Sequence, residues 1–357
     1  GVKAAYVNFD DERLENIRRE DLNNLLEALY IVYGDFNYLF LDEIQNVDGW
    51  PLFVNRLLRQ NIRLLVTGSN AKLLSNELTT HLTGRHHKIT LYPFSFKEYA
   101  LYKQISLTSL TTKAQANLKV ALNDYLIQGG FPELLIENNK HDYVMGLLDA
   151  IIKRDITKRF KVRYPEVLQR LATYMMDNFA QEYNASTLSG LFGVTDHTID
   201  TYCHYLQEAF LLHSAHKFSY KSRERMHGEK LYVIDPAFLS FRSNTFNTQN
   251  MGWRLENAVF IELLHRASQT YSDVFYYRER GFEVDFLVAK SGVVESIYQV
   301  CYDLTEDKTR KREITSLLQG ARKFSCRDLT IITFSQEEKL DIDGYLIKVI
   351  PATKWLV

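Results

Sequence analysis

The chain has only three cysteines in 357 residues, Cys203, Cys301 and Cys326. Their scattered positions exclude a disulfide scaffold and point to a reducing cytoplasm. It has only six prolines, and neither an internal repeat nor a low-complexity linker, which excludes solenoids and proline-rich spacers. An excess of one charge sign is missing as well. Lys and Arg number 43 against 44 Asp and Glu, a net charge of -1. Any site for nucleic acid or another polyanion must therefore be a local patch. No apolar run reaches membrane-spanning length, and no basic-apolar-small leader opens the chain, so no membrane association is expected. What is present is ordinary globular material. Hydrophobic residues make up 46% and aromatics 13%, with 22 Tyr and 21 Phe, enough to build sizeable cores. The length prior gives about two to three domains.

From residue 1 to about 100 the pattern is strand, helix, strand, helix, strand. "AAYVNF", "YLFLDE" and "IRLLVTGSN" read as strands. Between them, Leu22, Leu25, Leu26 and Leu29 fall at helical spacing, and "WPLFVNRLLRQ" is a helix opened near Pro51. Continuous apolar strand runs alternating with helices predict a parallel sheet covered on both faces. Residues 101 to 165 read as helical, broken by "GGFPE", and end in the basic run "KRDITKRFKVRY". That run reads either as the solvated side of an amphipathic helix or as a phosphate-contacting face. From 166 to 235, three helices precede two strands around a basic loop, the order of a winged helix-turn-helix. From 236 to 357, a helix, three strands, a second helix and further strands follow.

Asp42 and Glu43 end the second strand. In a nucleotide hydrolase such a strand-end Asp orients magnesium through water, and the following Glu polarises the attacking water. Both belong at the C-terminal edge of a parallel sheet. The next strand ends in Thr67, Ser69 and Asn70, small polar residues suited to hold the attacking water and the terminal phosphate. Arg85, in "LTGRHHK", reads as a surface arginine or as one that reaches a phosphate in a neighbouring subunit.

"YLFLDEIQNVDGWPLFVNRLL", "LLVTGSNAKLLS", "LTGRHHKITLYPFSFKEY" and "IQGGFPELL", in this order, resemble a prokaryotic family of AAA+-like P-loop ATPases with a C-terminal domain. "WRLENAVFIELL" and "FEVDFLV" resemble that C-terminal domain, so the likeness runs through nearly the whole chain. The resemblance implies ATP and Mg as cofactors and a truncated α/β P-loop NTPase fold, followed by a helical lid, a winged helix and a restriction-endonuclease-like α/β domain. It casts Asp42 and Glu43 as the Walker B acids, with Asp42 on the Mg, Asn70 or Ser69 as the sensor and Arg85 as a finger. One part departs from the pattern. No G-x-x-x-x-G-K-[ST] run occurs in the chain, and Lys88 lacks the preceding Gly and the spacing. Backbone amides and a Lys in that loop do most of the phosphate gripping. The expectation is a parent protein with a loop and helix of roughly 40 to 60 residues before Gly1, and a chain that is deficient in nucleotide binding as it stands.

Two further constellations stand apart from the acids. Lys217, Lys221, Arg223 and Arg225, interleaved with Phe218 and Tyr220, would make a basic wing able to sit on a DNA backbone, or else a protein-docking spacer. DNA, a second copy of the chain and a protein partner are thus the expected partners. In the C-terminal region, Glu256 and Asp285 occupy the places of nuclease acids. The E-x-K pair expected after them reads Gln299 and Cys301, so the site is expected to be vestigial. Cys203, His204, His213 and His216 lack metal-site spacing.

Overall fold

The computed structural model describes residues 3–68, 86–221, 228–242 and 250–357. It forms two compact units, Gly1–Leu91 and Tyr92–Val357.

In the first unit, β1 (Ala4–Asn8), β2 (Tyr38–Asp42) and β3 (Arg63–Val66) form a parallel sheet in that order. Asn8 pairs with Asp42 and Leu41 with Val66, so the three C-terminal strand ends lie side by side. Helix α1 (Leu22–Tyr33) buries Leu22, Leu26 and Leu29 and stops at Gly34, whose φ of +66° suits a residue without Cβ. Helix α2 (Trp50–Arg59) opens with Pro51 in its first turn and buries Trp50, Phe53, Val54 and Leu57. One apolar cluster joins these side chains to Ala5, Val7, Leu39 and Leu41. Burial thus alternates along β1 and β2, with Tyr6 and Leu65 about half exposed. The apolar runs predicted cover on both faces, but the described helices share their cluster with alternate strand residues only.

The second unit begins with helices α3 (Phe96–Tyr102), α4 (Thr112–Gln128) and α5 (Lys140–Ala150). The last continues as a π-helical stretch, Ile151–Lys158. Helices α6 (Pro165–Asp177), α7 (Ala185–Phe192) and α8 (Asp196–Glu208) follow. Asn184 and Thr195 cap α7 and α8 by accepting backbone N–H bonds. The expected hairpin is present as β4 (Leu212–Lys217) and β5 (Glu229–Val233), and it does not stand apart. β4 also pairs in parallel with β6 (Asp273–Glu279), which makes the hairpin one edge of an eight-stranded mixed sheet. The sheet continues through β7 (Phe282–Lys290), β8 (Val293–Cys301), β9 (Leu329–Thr333), β11 (Tyr345–Pro351) and β10 (Glu338–Ile342). Helices α9 (Met251–Thr270) and α10 (Asp307–Phe324) pack on it. Among the described residues no helix is long and apolar enough to cross a membrane.

Candidate functional sites

The parallel register of the first unit brings the tips of all three strands to one edge, and Asp42 stands at its centre. One carboxylate oxygen accepts a 2.8 Å hydrogen bond from the Tyr6 hydroxyl, and the other accepts one from the Thr67 hydroxyl. The Glu43 N–H donates to the Thr67 Oγ1 at 3.3 Å. The carboxylate beside it raises the Tyr6 hydroxyl pKa above its ordinary value. Glu43 itself is left-handed, with φ 53° and ψ 38°, a sparsely populated conformation for a residue with a long side chain. It turns the chain out of β2, and Gln45 donates to its carboxylate. A carboxylate oxygen has two lone pairs, so Asp42 keeps acceptor capacity for water or a cation. The acid pair thus meets the polar tip of the next strand through Thr67. Tyr6 escaped notice in the sequence because nothing marks a tyrosine inside an apolar strand. Ser69, Asn70 and Arg85 lie outside the described residues.

The second site is a cleft of about 820 Å³ in the larger unit, lined among others by Glu182, Lys217, Arg278, Glu283, Asp285, Gln299, Arg312 and Glu313. At Asp285 and Gln299 the strands β7 and β8 hold together through side chains. Gln299 Oε1 accepts from the Asp285 N–H at 2.8 Å, and Asp285 Oδ2 accepts from the Val300 N–H at 2.8 Å. Gln299 Nε2 donates to Glu313 on α10 at 2.6 Å, and Arg312 donates to the same carboxylate. Glu256 on α9 is buried and accepts from the Tyr232 hydroxyl at 2.9 Å. Lys230 completes the cluster from β5, 2.5 Å from Glu283 and 3.6 Å from Glu256.

Burial raises the Asp285 pKa well above its usual range, and the neighbouring Glu256 adds to the rise. Burial likewise raises Glu256, against the pull of Lys230. Burial would lower Lys230, but the carboxylates of Glu256, Asp285 and Glu283 overcome it, so its pKa rises and it stays an ammonium. A protonated lysine cannot act as a base. It can neutralise carboxylates or meet an anion. Among the described residues no group of three His, Cys, Asp or Glu side chains is spaced to hold a metal ion.

Asp285 therefore lies beside both Glu256 and Gln299, whereas the Cys301 thiol turns to another partner. Cys301 is buried in the apolar cluster beside α10, and its thiol donates to the Asp303 carbonyl at 3.1 Å. The one hint of Lys230 in the sequence is a lysine opening the otherwise apolar "KLYVI". Of the wing cations, Lys217 lines this cleft and Lys221 is exposed, while Arg223 and Arg225 lie outside the described residues. Cys203 is buried, His204 pairs with Glu208 at 2.9 Å, and burial holds the His213 pKa down to about 4.

The parallel sheet with its acid pair lies within residues 2–100, which match the family model described as an AAA domain, so the first unit is an AAA-like domain. Residues 119–249 match one described as a domain of unknown function. An uncharacterized protein of Methanocaldococcus jannaschii is 35% identical over 368 residues, covering 98% of this chain and 81% of its own. An uncharacterized protein of Haemophilus influenzae is 30% identical over 362 residues, covering 99% of this chain and 86% of its own. The chain belongs to the family of these proteins. No solved structure matches it significantly.

Proposed function

We propose that the chain is the greater part of an ATP-hydrolysing AAA-like protein, with its catalytic acids at the end of β2. The observation that supports this reading most is Asp42, held between Tyr6 and Thr67 where three parallel strands end. The donor set suits half of a nucleotide site. Asp42 would hold Mg through water, and Glu43 would take a proton from the attacking water. Ser69 or Asn70 would orient that water, and Arg85 would reach a phosphate in a neighbouring copy. Mg-ATP supplies the phosphoanhydride, and its hydrolysis would drive a conformational change. The phosphate-gripping half has no counterpart here, because no G-x-x-x-x-G-K-[ST] run occurs in the 357 residues. A cytoplasmic location suits the three buried cysteines, none of them in a disulfide.

The test compares this chain with the complete product of its gene in Mg-ATP titrations and hydrolysis assays. The complete product is expected to hydrolyse ATP, and Glu43→Gln to keep binding while cutting turnover by about 100-fold or more. The 357-residue chain alone is expected to show no micromolar ATP binding. Hydrolysis untouched by Glu43→Gln would overturn the proposal, and micromolar ATP binding by the chain alone would overturn its deficiency.

A second reading concerns the cleft. Lys230 sits among the carboxylates where a nuclease would carry its cation, which favours a nuclease-derived fold kept for binding. Magnesium-dependent DNA cleavage abolished by Asp285→Ala would replace this reading with that of an active nuclease.

A further inference from the structure

We propose that the cationic ridge from Lys153 to Arg163 docks the phosphate backbone of duplex DNA. This goes beyond the nucleotide reading and does not depend on it. Residues 153–164 hold six cations against the single acid Asp155, in a chain whose net charge is -1. Such local concentration is the electrostatic footprint of a polyanion site.

The fold turns that run outward. Ile152 and Ile156, four residues apart in the π-helical stretch, are buried and anchor it. Lys153, Arg154, Lys158, Lys161 and Arg163 are exposed. Lys153 pairs with Asp149 at 2.6 Å, and Arg154 with Asp155 at 3.0 Å. Among the described residues no carboxylate pairs with Lys158, Lys161 or Arg163. Lys161 has a φ of +48°, a left-handed turn position where Gly or Asn costs less strain. A lysine there gives up conformational ease and keeps a charge on the ridge.

Placement selects the partner. The Phe160 ring stacks on Tyr205 of α8 with centroids 4.0 Å apart, and the Tyr164 N–H donates to the Tyr202 hydroxyl at 3.0 Å. The ridge is therefore fixed across the third helix of the α6–α7–α8 unit, an arrangement of helices that DNA-binding proteins use. Phe160 and Tyr205 are engaged with each other, so neither offers a free face for stacking bases of a single strand. The large apolar side chain the ridge exposes is Tyr164, too little to insert into a bilayer. The start of α8 carries Asp196 and Asp200, acids unsuited to a strongly negative groove. The contact is thus to the phosphate backbone and is independent of sequence. It moves the DNA surface away from the hairpin, whose Lys217 is taken up by the cleft.

The experiment measures fluorescence anisotropy of a labelled duplex of about 25 base pairs and arbitrary sequence, titrated with the chain across a salt series. With roughly four to six phosphates neutralised, log K should fall against log salt with a slope of about -4 to -5. The variant Lys158→Glu/Lys161→Glu/Arg163→Glu changes exposed side chains only, and its melting temperature checks the fold. It should weaken binding by at least about 30-fold and flatten the slope by about 3, whereas Lys221→Glu should leave both nearly unchanged. Binding kept by a folded triple variant, absence of duplex binding at about 50 mM salt, or tighter binding of single strands or anionic vesicles than of duplex would each overturn the proposal.

Discussion

The ammonium of Lys230 lies 2.5 Å from a carboxylate oxygen of Glu283, although β4 and β6 stand between their strands in the sheet. The pair belongs to a cluster with Glu256 and Asp285 in which Lys230 and Glu256 are buried and Arg278 also reaches Glu283, at 3.6 Å. Removing one partner of such a cluster leaves uncompensated buried charge. Lys230→Met is expected to cost about 3–5 kcal/mol at pH 8. The loss should shrink towards pH 5, because Glu256 and Asp285 already have raised pKa values and neutralise further by taking up protons. Urea denaturation at the two pH values measures this. An equal loss at both would show that Lys230 contributes packing and not charge.

Asp235 presents a second buried carboxyl, with a different cause. One of its oxygens accepts from the Gly130 N–H at 2.7 Å and the other from the Ala237 N–H at 2.8 Å. Burial pushes its pKa up to about 7 despite those two bonds. The folded state therefore keeps a proton that the unfolded chain releases near pH 4. Stability from this group is complete below about pH 4, declines as pH rises towards 7, and is level above that, by an order of 4 kcal/mol in all. Asp235→Asn should remove that slope between pH 4.5 and 7 in chemical denaturation. A slope identical to the parent's would assign the dependence to other groups.

His213 works in the opposite sense. Burial lowers its pKa to about 4, so the folded state holds the ring neutral while the unfolded chain binds a proton below about pH 6.5. Its contribution is complete above pH 6.5 and is lost as pH falls towards 4. The ring packs among Tyr92 and Phe210, and its Nε2 has no hydrogen-bond partner among the described residues. His213→Phe keeps the aromatic packing and removes the titration. It should raise the melting temperature at pH 5 relative to the parent more than it does at pH 7.5. An equal effect at both pH values would argue against a neutral buried ring.

The first unit was the more legible part of the sequence. Strand, helix, strand, helix, strand came directly from hydrophobic periodicity, and Asp42 followed because ligand acids stand at parallel strand ends. Tyr6 and Thr67, which hold it, are brought near by register, and one sequence does not specify register. Glu256, Asp285 and Gln299 are singled out in the sequence only by the resemblance to a nuclease core, and the structure places Gln299 and Glu256 beside Asp285. Lys230 and Glu313 were not legible, because only the sheet order carries Lys230 from β5 to the cluster and only the packing of α10 turns Glu313 toward Gln299. The hairpin after α8 was also legible, but its parallel pairing with β6 was not, since the contact is non-local. Short basic runs carry the same ambiguity. "KRDITKRFKVRY" shows charge, but only Phe160 on Tyr205 shows which helix the run packs against.

A glycine pair supplies the last test. "GGFPE" crosses the second unit at a point with no spare volume. A Cβ on Gly130 would lie 2.2 Å from the Phe94 carbonyl oxygen, with the Phe94 backbone nitrogen 3.1 Å away. Neither can withdraw cheaply, because the Phe94 N–H donates to the Gly130 carbonyl at 2.8 Å and the Phe94 carbonyl accepts from the Tyr125 hydroxyl at 3.0 Å. Gly130→Ala must therefore move backbone and also loosen the Asp235 bond to the Gly130 N–H. A loss of about 3 kcal/mol or more is expected, in the range of overpacked cores. Gly146, inside α5, gives the contrast, since a Cβ there meets none of the described residues within 4 Å. Gly146→Ala should stabilise by about 0.5–1 kcal/mol, through helix propensity alone. Melting curves of the two variants separate backbone crowding from propensity. If Gly130→Ala were as harmless as Gly146→Ala, the close approach of the two loops would be refuted.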